Sequence, residues 1–111
     1  MGYRVRITVR AEADADEAYA RIHRESPDRA RHWLGGLWEA VSGLSVLPTR
    51  CAIAPESKVM PVEIRQLLYG KRQGVYRVLF CAIEEQKIVV VLRIRHSARL
   101  FLSAEDLLGD A

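Results

Sequence analysis

Apolar and polar residues alternate at the start of the chain. Tyr3, Val5, Ile7 and Val9 fall on one face, and Arg4, Arg6 and Thr8 fall on the other. A period of two predicts a half-buried strand over 3–9. The period then changes. Between Ala11 and Glu25, Ala15, Ala18, Tyr19 and Ile22 recur at helical spacing. Glu12, Asp14, Asp16 and Glu17 load the first turns, where the helix dipole favours acids, and Arg21 and Arg24 sit toward the end. Ser26-Pro27-Asp28 predicts the start of a second helix, because Ser caps and Pro fits the first helical position. Its stripe is Ala30, Trp33, Leu34, Leu37, Val41 and Leu44, and Pro48 ends it. Residues 11–47 therefore read as a helical hairpin. Gly35-Gly36 inside the second helix costs about 1 kcal/mol per glycine in propensity, which points to a close approach of the two helices.

Residues 49–61, bounded by Pro55 and Pro61, read as a loop. Three strand patterns follow. Val62 to Tyr69 ends at Gly70, and Lys71 to Gly74 turns the chain. Val75 to Ile83 is apolar and β-rich, and Glu84-Glu85-Gln86 is a tight polar connection. Lys87 to Arg95 puts Ile88, Val90, Leu92 and Ile94 on one face and Val89, Val91, Arg93 and Arg95 on the other. Short connections predict an antiparallel meander. Ser103 with Asp106 three residues later predicts a short helix in the tail. The expected fold is α+β, in the order β-α-α-β-β-β, with a helical hairpin packed on a small antiparallel sheet. It is read as one domain over 1–111 with a short tail at about 103–111.

Length and composition agree with that reading. The chain has 111 residues, one ordinary domain, and half of them are hydrophobic, which excludes wholesale disorder. The longest apolar runs, Val78–Ile83 and Ile88–Leu92, fall far short of the ~20 residues a membrane helix needs. Arg4, Arg6 and Arg10 interrupt the stretch where a signal peptide would be apolar. Cys51 and Cys81 form no close pair, so no disulfide framework or cysteine zinc site is expected, and a reduced cytoplasm is. His23, His32 and His96 lack ligand spacing, so no metal is expected; His23 and His32 read as surface residues of the helices. No Gly-rich phosphate loop, HExxH or GxSxG motif occurs, and no cofactor is expected.

Charge changes the picture. The net charge is +3, but it is uneven: residues 1–49 are neutral, 50–99 carry +6 and 100–111 carry −3. The basic middle favours an anionic partner, or it keeps a sheet edge soluble. Arg65, Arg77, Arg93, Arg95, His96 and Arg99 all fall in the meander. If the strand faces align, they form a basic concave surface whose guanidinium forks suit phosphate oxygens. In phosphodiester cleavage such a cluster stabilises developing charge, and His96 exchanges the proton. The plainer alternative is a set of salt bridges to Glu63, Glu84 or the acidic tail.

Two stretches carry a family resemblance: IRQLLYGKRQGVYRVLF (64–80) and VVVLRIRHSARLFL (89–102). Arg65 in a strand, the Gly turn, the Tyr76-Arg77 pair and the ending Ile94-x-His96-x-x-Arg99 resemble the RelE/ParE toxin superfamily. These are the toxins of type II toxin–antitoxin modules, also called plasmid stabilisation proteins. The resemblance covers about residues 3–102 and implies a growth inhibitor neutralised by a cognate antitoxin. Three readings follow from it. A RelE-like member is a ribosome-dependent mRNA endonuclease, with Arg65, Arg77, His96 and Arg99 as its catalytic set. A ParE-like member inhibits DNA gyrase and is not an enzyme. The third is an inactive protein that only binds antitoxin. Glu63 stands where a second basic strand residue would help cleavage, and no Tyr follows Tyr76. The helical hairpin and the His-x-x-Arg ending look more like the ParE branch.

Overall fold

At Thr8 the chain changes from strand to helix. The hydroxyl of Thr8 accepts the Ala11 N–H at 3.1 Å, satisfying one of the free donors of the first turn. In the computed structural model, which describes residues 2–99 and 101–108, β1 is Arg4–Ile7 and α1 is Val9–Glu25. The helix thus begins two residues earlier than its periodicity predicts. Val9 is not a strand residue facing the core; it opens α1 and is 80% exposed. Ser26 caps α2, Pro27–Ser42, through a bond from the Arg29 N–H, and Pro27 takes the first helical position. After α2, short 3-10 turns lead through Pro48 to β2, Ala52–Ile53.

The remaining elements are β3 (Arg65–Tyr69), β4 (Tyr76–Ile83), β5 (Ile88–His96) and α3 (Ala104–Leu108). They form a five-stranded sheet in the order β1-β5-β4-β3-β2. The β3-β4-β5 meander is antiparallel as expected, and β1 lies parallel to β5, Arg4 opposite Ile88 and Ile7 opposite Val91. The segment 49–61 is not all loop, because β2 pairs antiparallel with β3. Two residues are too few for a periodic signal.

Strict alternation along β5 fails at a bulge. Leu79 lies opposite Arg93 and Phe80 opposite Val91, so Leu92 is the extra residue. Val89, Val91 and Ile94 therefore share the helix-facing core, whereas Leu92 packs on the other side with Leu79. Gly36 also differs from expectation. A Cβ there would strike the Tyr69 hydroxyl, so the glycine admits a strand side chain. Tyr69 uses the space to donate its hydroxyl proton to the Trp33 carbonyl at 2.8 Å.

Both faces of the sheet are covered. The helical hairpin buries Ala11, Ala15, Ala18, Leu37 and Val41 against Val78, Phe80, Val89 and Val91. Trp33 and Trp38 pack half-buried against this core. On the opposite face, the 54–64 segment and the tail bring Ala54, Ile64, Leu102 and Leu107 onto Leu79. Double coverage explains why Tyr76 to Phe80 is buried without alternation. Ser103 and Asp106 cap α3 reciprocally: the Ser103 amide donates to the Asp106 carboxylate at 3.1 Å, and the Asp106 amide donates to Ser103 Oγ at 3.2 Å.

Candidate functional site

Arg77 occupies the sheet face away from the helices, opposite in sense to Tyr76, Val78 and Phe80. It is buried, 5% exposed, beside Glu56, 2% exposed. Its Nη1 and Nη2 donate to the two Glu56 oxygens at 2.9 and 2.5 Å, and its Nε donates to Gln66 Oε1 at 2.9 Å. The Phe101 ring lies 5.3 Å from the guanidinium carbon. Glu56 also accepts the Leu102 N–H at 3.1 Å. Burial pushes the Glu56 carboxyl upward, but the bonds from Arg77 and Leu102 outweigh it and hold the group below the usual carboxylate range. The fork-to-fork pair thus ties β4 to the 55–59 turn and to the tail.

Arg65 is engaged elsewhere. Its Nη1 donates to the carbonyls of Thr49 and Cys51 at 3.1 and 2.6 Å, and its Nη2 pairs with Glu63 at 3.0 Å. Of the partners expected from sequence, Glu63 pairs with Arg65, Glu84 pairs instead with Lys87, and the tail accepts from Arg93 through the Asp106 carbonyl at 3.1 Å. Glu56 gave no signal, because it lies in a loop 21 residues before Arg77.

A second group gathers at the far end of β5. The β1 pairing stops at Val91, so the edge of β5 beyond it faces α1. A cavity of about 60 Å³ opens there, lined from α1 by Asp14, Glu17 and Arg21 and from the strands by Tyr76, Arg95 and His96, with Arg99 from the following turn. Asp14 is consumed by Arg93, whose Nε and Nη2 donate to its carboxylate at 2.7 and 3.0 Å. The Asp14 hydrogen bonds drive the Arg93 guanidinium further above its ordinary range. Arg21 donates to the Tyr76 hydroxyl. Among the described residues, Arg21, Arg95 and Arg99 form no ion pair, and the buried Nε of Arg95 has no hydrogen-bond partner.

His96 stacks edge-on against Tyr76, ring centroids 5.1 Å apart. Its Nδ1 accepts the Ala98 N–H at 3.0 Å, and its Nε2 lies 2.7 Å from the Gln73 carbonyl. An N–H donor facing Nδ1 and a carbonyl acceptor facing Nε2 match the tautomer that carries its proton on Nε2.

The basic surface expected from the strands therefore assembles only in part. Of its six residues, Arg93, Arg95, His96 and Arg99 line one cavity, and Arg65 and Arg77 are bound elsewhere. Arg21 completes the cavity from a helix; its place at the end of the acidic first helix was visible in sequence, but its meeting with Tyr76 spans 55 positions. Among the described residues, no group of three or more His, Cys, Asp or Glu is placed to hold a metal ion, and no helix is long and apolar enough to cross a membrane.

The family model for the ParE toxin of the type II toxin–antitoxin system parDE matches residues 5–101. No curated protein matches by sequence. Several solved structures are similar. The chromosomal ParDE system from P. aeruginosa gives a TM-score of 0.67 at 22% identity, over 85% of this chain and 95% of that one. The RelBE2 toxin–antitoxin complex from Mycobacterium tuberculosis gives 0.58 at 26% identity, over 86% and 99%. A double mutant of the E. coli toxin RelE in the free state gives 0.57 at 16% identity, over 88% and 86%.

Proposed function

The chain belongs to the ParE toxin family of type II toxin–antitoxin systems, and from that premise we propose that it acts as a ParE-like inhibitor of DNA gyrase, without nuclease chemistry. As a toxin of this fold it works in the cytoplasm as one domain over 1–111, and a cognate antitoxin neutralises it. The observation that carries the reading is the double engagement of His96, whose two ring nitrogens are both held by backbone groups. General acid–base work needs a nitrogen free to reach the reacting oxygen. Here either nitrogen must first break a backbone hydrogen bond. The burial of Arg77 against Glu56 supports the same reading, since a neutralised, inaccessible guanidinium does not meet a phosphate.

One observation favours a RelE-like mRNA endonuclease instead: Arg21, Arg95 and Arg99 surround one cavity with no ion pair among the described residues. The readings separate in cells that make the protein without antitoxin. Thymidine and methionine incorporation are followed over the first minutes, and purified gyrase is assayed for supercoiling. The proposal expects thymidine incorporation to fall first and supercoiling to be inhibited. Methionine incorporation falling first, with cleaved mRNA, overturns it in favour of the endonuclease. If neither falls, the protein only binds antitoxin.

A further inference from the structure

We propose that the cavity at the end of β5 is a carboxylate pocket, occupied by an acidic side chain of the antitoxin. The inference rests on the reading that a cognate antitoxin neutralises this chain. Its physical basis is a local surplus of charge. With Asp14 and Arg93 cancelling each other, the walls retain Arg21, Arg95 and Arg99 against Glu17, and Asp106, outside the lining, also acts on Arg95, so the cations still outnumber the acids. Clustered cations of like sign raise the free energy of the unoccupied toxin, and an entering anion relieves that repulsion. Donors are already in place. The Tyr76 hydroxyl accepts from Arg21, which leaves its own proton to donate, and the Arg95 Nε lacks a partner. A carboxylate matches guanidinium forks in two-point fashion.

Size and charge both favour one singly charged head group, and the test below separates a carboxylate from a phosphodiester. At about 60 Å³ the cavity is several times the ~10–15 Å³ that one water needs, which suits a single anionic head. Glu17 on the wall repels a second negative charge, so a singly charged head is preferred over a phosphate monoester. Arg99 is exposed at the mouth, where it steers an acidic partner inward.

The test uses the full chain labelled with ¹⁵N, following the arginine Nε–H resonances. The probe is an acetylated pentapeptide of alternating leucine and glutamate. The expected result is saturable shifts at Arg95 and Arg99, none with the glutamine version of the peptide, and affinity reduced about tenfold or more in Arg99→Gln, the size of a lost charge-assisted bond. Arg4→Gln, on β1 opposite the other end of β5, leaves the affinity unchanged. The proposal is overturned if the glutamine peptide binds equally well or if the shifts lie outside the cavity. It is also overturned if a short oligoribonucleotide or inorganic phosphate moves the same resonances at lower concentration than the glutamate peptide. A supercoiling assay on the same samples reports on gyrase inhibition alone, so failure of that reading is distinguishable from failure of the pocket.

Discussion

Asp14 on α1 closes the edge of β5 through Arg93 and its neighbour: one carboxylate oxygen accepts the Arg93 Nε–H at 2.7 Å and the Ile94 amide at 2.9 Å. Just before it, the Thr8 amide and hydroxyl donate to the carbonyls of Val91 and Leu92 at 3.1 and 3.0 Å. A strand edge is a template for unwanted pairing, and this one is capped by a side chain where the neighbouring strand runs out. Replacing Asp14 with Ala leaves the Ile94 amide without its acceptor and the half-buried Arg93 guanidinium with only the Asp106 carbonyl. Asp14→Ala should lower stability by about 2–4 kcal/mol, and Asp14→Asn by less, because the amide oxygen still accepts from Ile94. Urea unfolding monitored by tryptophan fluorescence measures both.

The Arg77–Glu56 pair should respond asymmetrically. Glu56→Leu alone strands a buried cation and should cost about 3–5 kcal/mol. Joining it to Arg77→Met, which keeps a long apolar side chain in the same space, should recover most of that loss. A double-mutant cycle in denaturant gives the coupling; independent costs that simply add would contradict the pairing described here.

Acid should weaken the parent protein partly through Glu56. Its folded pKa lies below the unfolded value, so its contribution is complete above the unfolded value of about 4.3 and is lost as pH falls through the folded one. In Glu56→Gln that contribution is missing at every pH. The stability gap between parent and variant should therefore be widest near neutrality and should shrink below about pH 4. Unfolding curves at a series of pH values test the trend.

Gly36 and Tyr69 should be coupled. Gly36→Ala gains about 1 kcal/mol of helix propensity, but its methyl collides with the Tyr69 hydroxyl, and forced displacement costs about 1–3 kcal/mol. Tyr69→Phe removes the nearest colliding atom and the bond to Trp33, a loss of about 1 kcal/mol. Alanine at 36 should thus be better tolerated beside phenylalanine at 69 than beside tyrosine, as read from Tm.

How far the sequence spoke depended on how local the cause was. The cap at Ser26, the Ser103-Asp106 box and the alternation of Tyr3, Val5 and Ile7 act over a few residues, and each was visible in the chain. The β2–β3 pair was hidden because a two-residue strand has no period, and the bulge at Leu92 because one extra residue reverses which face every later side chain meets. At the candidate site, His96 and Arg99 were legible as residues next to a strand end. The partners that decide their roles were not: Glu56 meets Arg77 from a loop, and Asp14 reaches Arg93 across 79 positions. Sequence marked Arg77 as a costly charge inside an apolar strand, but it did not say which acid would accompany it.

The parallel pairing of Arg4 with Ile88 governs when this toxin can finish folding. The first strand leaves the ribosome without the strand it will lie against, and at roughly 5–20 residues per second it waits about 4–17 s for that strand to be made. The α1–α2 hairpin, built from near neighbours, forms first, with its apolar face and the strand beside it still without a sheet. The edge formed by β1 and β5 is therefore completed late, and a nascent chain halted before β5 lacks both the completed sheet and the cavity that Arg95 and Arg99 line.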